Sequence, residues 1–186
     1  RCHPQSSPTN GSAATKKWGA TASMKIRRDH EYAHSTDTVY ALFTDRKAIR
    51  AKQKVLGSRN LRIEECKRNA GGAVVSFVRE LPADVPGVLS KFVQPWNTVE
   101  QSEQWTCYAD GVYQAELDVD IAGVPVTVAG TLELEPRDDG CVNHVRMTIE
   151  CGIPFIGKTL ADFVAKDCKR LIADEYKFIS DRLDSA

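Results

Sequence analysis

The stretch FIGKTLADFVAKDCKRLIADEYKFISDRL, residues 155–183, carries apolar side chains at the spacing of one helix face. About 25 residues at a rise of 1.5 Å give a helix roughly 37 Å long, enough to span a whole sheet. Thr159 and Asp162 resemble a capping box, while Pro154 and Gly157 allow a start one turn earlier. The pattern therefore predicts one long amphipathic helix at the C-terminal end.

The residues before this helix alternate between polar and apolar side chains, which is typical of half-buried strands. Turn residues such as Asp110-Gly111 separate these segments, so neighbouring segments are predicted to form antiparallel hairpins. The predicted strands cover residues 24–32, 61–67, 73–80, 98–108, 112–121, 124–135 and 141–151.

Two short helices are predicted between the first strand and the second. Ser35 stands before an i, i+3, i+4 apolar set and is a candidate N-cap, and Asp45 is a candidate N-cap for the next helix. Gly57 is expected to end that second helix. The basic run over residues 46–54 is interpreted as a solvated helix face, with a weak contact to an anionic membrane as the alternative.

This order of elements, β-α-α-β6-α, predicts an α+β protein. Each strand has an apolar face that must be covered, and the long C-terminal helix is the obvious cover. We therefore expect a curved antiparallel β-sheet of about seven strands wrapped around that helix. The space between them is either filled by side chains or holds a ligand.

Composition and charge restrict the function classes. Residues 1–23 are rich in Ser, Thr, Ala, Pro and Gly, so we expect a flexible N-terminal extension or tag there and a single domain over residues 24–186. Acidic and basic residues number 25 each, which disfavours a nucleic-acid partner. No apolar run approaches the roughly 18 residues that cross a bilayer, so no stable membrane insertion is expected.

Six cysteines occur without a Cys-x-x-Cys pair, which favours reduced thiols and a cytoplasmic location. The histidines do not stand at metal-ligand spacing, and no serine elbow, Cys/His dyad or phosphate loop is present in the sequence. We therefore predict no metal, no cofactor and no catalytic residue.

Three polar residues, Arg79, Gln101 and Glu103, share the strand phase of apolar neighbours. A buried charge must be paired, hydrated or used, so these residues are candidates for orienting the polar end of a ligand. Two alternatives stay open: a bulge exposes them, or Arg79 and Glu103 pair near a sheet end.

The other candidate ligand-binding residues are apolar or aromatic and lie at inward strand positions or on the long helix. Plain core packing is the alternative for each of them. They are Phe77, Trp105, Tyr113, Leu117, Leu132, Met147, Phe163 and Ile172. The segment over residues 81–97 combines three prolines with large apolar side chains, and is interpreted as a lid over a cavity or as a helical turn that seals the core edge.

Several short motifs together resemble the START-like, polyketide-cyclase-like (SRPBCC) helix-grip superfamily, and within it a bacterial domain family of unknown function. The motifs are Met24-Lys25-Ile26, the capped helix ending in Phe43-Thr44-Asp45, Leu81-Pro82-Ala83-Asp84-Val85-Pro86-Gly87, and Gly152-Ile153-Pro154 leading into the last helix. They mark the fold and not the chemistry.

The resemblance implies an apolar cavity between the sheet and the C-terminal helix, which this superfamily uses for sterols, lipids, polyketides and plant hormones. The expected function is binding of a hydrophobic or amphipathic, lipid-like small molecule by a carrier or sensor that is a monomer or weak dimer. One alternative is a cyclase or hydratase that uses the carboxylate of Glu103 or the phenol of Tyr113. The other is a protein-interaction module without an internal ligand.

Overall fold

The computed structural model describes residues 22–185. Seven strands form a single antiparallel sheet, and three α-helices and one 3-10 turn accompany it. In chain order the elements are β1 (Ala22–Tyr32), α1 (Thr36–Phe43), α2 (Arg46–Val55), β2 (Arg59–Asn69), β3 (Gly72–Pro82), the 3-10 turn (Gly87–Leu89), β4 (Trp96–Cys107), β5 (Tyr113–Ile121), β6 (Thr127–Arg137), β7 (Gly140–Cys151) and α3 (Gly157–Asp184). The predicted α+β helix-grip class and element order are confirmed.

The strand order is β1-β7-β6-β5-β4-β3-β2, so β2 to β7 form a meander and β1 returns to pair with β7. β1 begins at Ala22, two residues earlier than predicted, because Ala22 and Ser23 pair with Cys151 and Glu150. The rest of the predicted N-terminal extension, residues 1–21, lies outside the described residues. The sheet therefore has β1 and β2 as its edges.

Side-chain caps set the two short helices, as the sequence predicts. The backbone N–H of Thr38 donates to Ser35 Oγ at 3.3 Å, and that of Ala48 donates to Asp45 Oδ1 at 2.8 Å. Gly57 follows α2 with a φ of +76°, a conformation that costs glycine little. The structure thus confirms three predictions made from local sequence: the starts of α1 and α2 and the end of α2.

α3 has 28 residues, about 42 Å at 1.5 Å per residue. Ile156 is its N-cap and supplies no side-chain hydrogen bond, so the predicted capping box at Thr159 and Asp162 is wrong and the earlier start is correct. The helix buries Leu160, Val164, Ile179 and other apolar residues, and it lies closest to β1 and β7. The inner face of β3, β4 and β5 is therefore left with space between itself and α3.

None of the helices over residues 22–185 has an apolar stretch long enough to cross a membrane. The cysteines in this range are free thiols, namely Cys66, Cys107, Cys141, Cys151 and Cys168. Cys2 lies outside the described residues.

Candidate functional site

A cavity of about 120 Å³, measured as space open to the centre of a water molecule, lies between the sheet and α3. A single water needs roughly 10–15 Å³ on this measure, so the interior is not filled by side chains. The walls come from α2, the five strands β3 to β7, the segment between β3 and β4, and α3. Most of the wall is apolar, with Leu117, Val119, Leu132, Val145, Met147 and Leu171 among the contributors.

The pairing of β3 with β4 determines which side chains face this cavity. The register runs from Gly72 opposite Thr106 to Pro82 opposite Trp96 without a shift. No bulge therefore interrupts the alternation, and Arg79 and Glu103 point inward with side chains only 5% and 3% exposed. The alternative that a bulge exposes them is wrong.

A chain of hydrogen bonds joins these polar side chains. Arg79 Nη2 donates to Gln101 Oε1 at 2.8 Å, and Gln101 Nε2 donates to Glu103 Oε1 at 2.7 Å. Trp105 Nε1 donates to the other oxygen of Glu103 at 2.9 Å. Arg79 and Glu103 are thus linked through an amide rather than by a direct ion pair.

Burial acts on the charges at both ends of the chain. It raises the pKa of Glu103, against the opposing effect of Lys52, and so favours the protonated acid. It lowers the pKa of Arg79 to about 10, which leaves the guanidinium cationic at neutral pH. The guanidinium lies 4.8 Å from the centre of the Phe77 ring, and its Nε and Nη1 have no hydrogen-bond partner in the described part of the chain.

Lys52 and Glu175 form a second polar pair, which sequence reasoning missed. Lys52 Nζ lies 2.5 Å from Glu175 Oε2, and the lysine side chain is 2% exposed. The interpretation of the basic run as a fully solvated face is therefore wrong at Lys52. The sequence does indicate that Lys52 is buried, because it stands three residues after Ile49 and so on the buried side of α2.

Four further polar side chains line the cavity, and one of them, Asn97, exchanges two hydrogen bonds with the backbone of Gln94. Asp167 is bonded to Arg170 at 2.6 Å, so its charge is compensated. Burial raises the pKa of Cys168 to about 12. Gln53 Oε1 is buried and, among residues 22–185, has no hydrogen-bond partner.

Eight of the predicted ligand-binding residues line the cavity, and three do not. Those in its wall are Arg79, Gln101, Glu103, Leu117, Leu132, Met147, Phe163 and Ile172. Phe77 is 1% exposed and belongs to the core, and Trp105 packs edge-on against Tyr40 with ring centroids 5.5 Å apart. Tyr113 stacks on Tyr40 at 4.2 Å and donates its hydroxyl to Asp37, so these three aromatic residues build the structure beside the cavity.

The segment between β3 and β4 closes one end of the cavity. Leu89 in the 3-10 turn is fully buried, and Val93 lines the cavity. Val88 is 63% exposed on the opposite side of the turn. The structure fits the alternative of a helical turn that seals the core edge, and the lid over the cavity stays a prediction.

Glu133, Glu135 and His144 come together on the outer face of the sheet, with potential ligand atoms within 4.8 Å of one another. His144 bonds Asp29 through Nδ1 at 2.7 Å and Glu135 through Nε2 at 3.0 Å, and the bond to Asp29 raises its pKa. Both ring nitrogens are therefore occupied by carboxylates. Arg146 Nη2, 3.4 Å from Nδ1, adds a cation that disfavours a metal there.

A seven-stranded curved sheet packed around a long C-terminal helix is the helix-grip fold, of the START/Bet v1-like type. Solved structures with this fold superpose on it. One is TTHA0849 from Thermus thermophilus, with a TM-score of 0.58, 15% identity and coverage of 88% of this chain and 97% of the other. Another is a STAR-related lipid transfer protein from Xanthomonas axonopodis, with a TM-score of 0.58, 14% identity and coverage of 83% and 85%.

Norcoclaurine synthase from Thalictrum flavum also superposes, with a TM-score of 0.55, 15% identity and coverage of 97% of this chain and 100% of the other. Identities this low establish the fold alone.

Residues 27–183 match the family described as "Protein of unknown function (DUF2505)", and the chain belongs to that family. Uncharacterized protein Rv0481c from Mycobacterium tuberculosis (strain ATCC 25618 / H37Rv) is 27% identical over 97 residues, which cover 51% of this chain and 56% of that protein. The match thus spans about half the length of this curated relative. The resemblance inferred from the sequence is confirmed for the helix-grip fold and for the family of unknown function.

Proposed function

We propose that the protein binds a hydrophobic or amphipathic, lipid-like small molecule in the cavity between the sheet and α3, as a carrier or sensor. The observation that carries this proposal is the open space of about 120 Å³ in an otherwise packed core. Native cores have few voids larger than a water molecule, because an empty apolar void loses dispersion contacts.

The composition of the wall supports an amphipathic ligand. Apolar side chains of β5, β6, β7 and α3 would bury ligand surface at about 25 cal/mol per Å². A polar cluster at one side, built on Arg79, Gln101 and Glu103, would orient it. The lipid-transfer protein among the superposed structures is consistent with this type of function.

Native mass spectrometry of the purified protein, followed by denaturing extraction, tests the proposal. We expect a noncovalent adduct that is released on unfolding, or formation of such an adduct on incubation with 1-octanol. The variant Leu132→Trp places a larger side chain in the cavity and should abolish the adduct. Thr131→Trp, one residue away on the outer face of the same strand, is the matched control and should keep it.

A protein that stays free of ligand in both experiments would contradict the proposal. So would an adduct that Leu132→Trp leaves intact, since the ligand would then lie outside the cavity. The free thiols over residues 22–185 fit a reducing compartment, and we include a cytoplasmic location and a monomeric or weakly dimeric state in the proposal.

A further inference from the structure

Arg79 is a buried cation with unused hydrogen-bonding capacity. Its side chain is 5% exposed, yet Nε and Nη1 have no partner within residues 22–185. Nε carries one and Nη1 two of the five guanidinium N–H groups. Leaving such groups unsatisfied inside a protein is costly, so an unsatisfied buried donor calls for a water or a ligand.

The position of Arg79 favours a ligand. The residue lines the cavity, and its bonded nitrogen, Nη2, is held by Gln101 at 2.8 Å. Because Gln101 is itself fixed by Glu103, the guanidinium is anchored on one side only. Nε and Nη1 are themselves almost fully buried, so a small shift of the guanidinium edge brings these free donors to an acceptor in the cavity.

The charged groups around Arg79 do not bond to it directly. Lys52 and Glu175 compensate each other at 2.5 Å, and Asp167 is compensated by Arg170, which lies 2.6 Å away. Glu103 and Glu175 act on Arg79 through space, but neither bonds to it in the described part of the chain.

Burial also raises the pKa of Glu103, which makes its ionised form less favourable. Within residues 22–185 no carboxylate bonds Arg79 directly, so its guanidinium is the cation that an anion entering the apolar cavity would meet.

We propose that the ligand is an amphipathic monocarboxylic acid whose carboxylate accepts hydrogen bonds from the free donors of Arg79. This inference rests on the proposed function and specifies its ligand class. A carboxylate matches the planar donors of a guanidinium and forms charge-assisted hydrogen bonds with it. A dianion such as a phosphate monoester fits less well, because the carboxyl groups of Glu103, Glu175 and Asp167 also line the cavity.

The volume limits the apolar body of the acid. About 120 Å³ is of the same order as the roughly 150 Å³ engineered apolar cavity that admits benzene. A single ring or a short alkyl chain is therefore the size of apolar body that fits this space.

Calorimetric titration with octanoate, 1-octanol and octylammonium at about pH 7.5 tests the inference, because the three probes share a chain and differ in charge. We expect octanoate to bind at least about tenfold more tightly than 1-octanol, and octylammonium to bind worst. In Arg79→Met the preference for octanoate should fall below about twofold while the affinity for 1-octanol is retained. Arg27→Met removes the same charge from the exposed face of β1 and should change neither affinity.

The outcomes separate the two proposals. Equal binding of octanoate and 1-octanol by the unmodified protein overturns the carboxylate inference and leaves the proposed function standing, with water as the partner of Arg79. Tighter binding of octylammonium overturns the inference as well. If none of the three binds, the proposed function fails together with the inference. Should Arg79→Met not fold, Arg79→Lys serves in its place, because it keeps the charge but loses the planar donors and should reduce the preference.

Discussion

Gln101 lies between Arg79 and Glu103, accepting a hydrogen bond from Arg79 Nη2 at 2.8 Å and donating one to Glu103 Oε1 at 2.7 Å. The amide thereby separates a cation from a carboxyl group across two neighbouring strands. A direct ion pair would have neutralised the charge of Arg79, whereas in this arrangement its Nε and Nη1 have no hydrogen-bond partner within residues 22–185.

Replacement of Arg79 by Met and replacement of Lys52 by Met are expected to change the free energy of unfolding in opposite directions. Arg79→Met removes an unpaired charge and should raise the free energy of unfolding by about 1 kcal/mol, even after loss of its contact with the Phe77 ring. Lys52→Met leaves Glu175 without its partner and should lower it by about 1–3 kcal/mol. Urea unfolding of both variants measures the two changes. Destabilisation by Arg79→Met as large as by Lys52→Met would contradict the unpaired state of Arg79.

The variant Glu103→Gln should become more stable relative to the unmodified protein as pH rises. Burial raises the pKa of Glu103 in the folded state, so folding favours the protonated acid. The stability that protonated Glu103 contributes is fully present at pH values below the ordinary pKa of Glu. It is lost as pH rises through the raised pKa of the folded state. Asp29 and Glu80, whose pKa values are lowered, have the opposite dependence but are common to both proteins.

Urea unfolding of Glu103→Gln and the unmodified protein between about pH 4.5 and pH 8 measures that difference. A difference that does not change with pH would show that burial does not perturb Glu103.

His144 should stabilise the protein most at low pH. Its bond to Asp29 raises the pKa of His144. The stabilising imidazolium is therefore fully formed at pH values below the ordinary His pKa of about 6.5, and it is lost as pH rises through the raised pKa. The stability difference between the unmodified protein and His144→Asn should therefore decrease from about pH 6 to pH 8.

Ligand affinity should be the same in His144→Asn, because the residue lies on the outer face of the sheet. An effect on binding would instead link the outer cluster to the cavity.

Cys168 is expected to resist alkylation by iodoacetamide in the native protein at about pH 8, since burial raises its pKa to about 12 and the thiolate is the reactive form. Peptide mapping after labelling should find Cys168 modified only in concentrated guanidinium. Rapid native labelling would mean that the cavity wall at α3 opens to solvent.

Periodicity and local capping predicted most of the fold. The spacing of Leu160, Val164 and Ile179 identified α3, and Ser35 and Asp45 located the starts of α1 and α2. These features are local, so a single sequence carries them. The start of α3 was harder to place, because Ile156 offers no side-chain cap to recognise.

The cavity was predicted only in part, because its shape depends on contacts between distant segments. Strand phase placed Arg79 and Glu103 inside correctly. It equally selected Phe77 and Trp105, whose packing beside the cavity depends on where α1 and α2 lie against the sheet. The pairing of Lys52 with Glu175 was missed because the two residues are 123 positions apart in the sequence.

Methyl chemical-shift mapping by NMR during titration with octanoate tests the central claim most directly. Binding in the cavity predicts saturable shifts of the methyl groups of Leu117, Leu132 and Met147, with little change at the exposed Val55 and Val88. Shifts confined to Val55 and Val88, or no shifts at all, would contradict a ligand site between the sheet and α3.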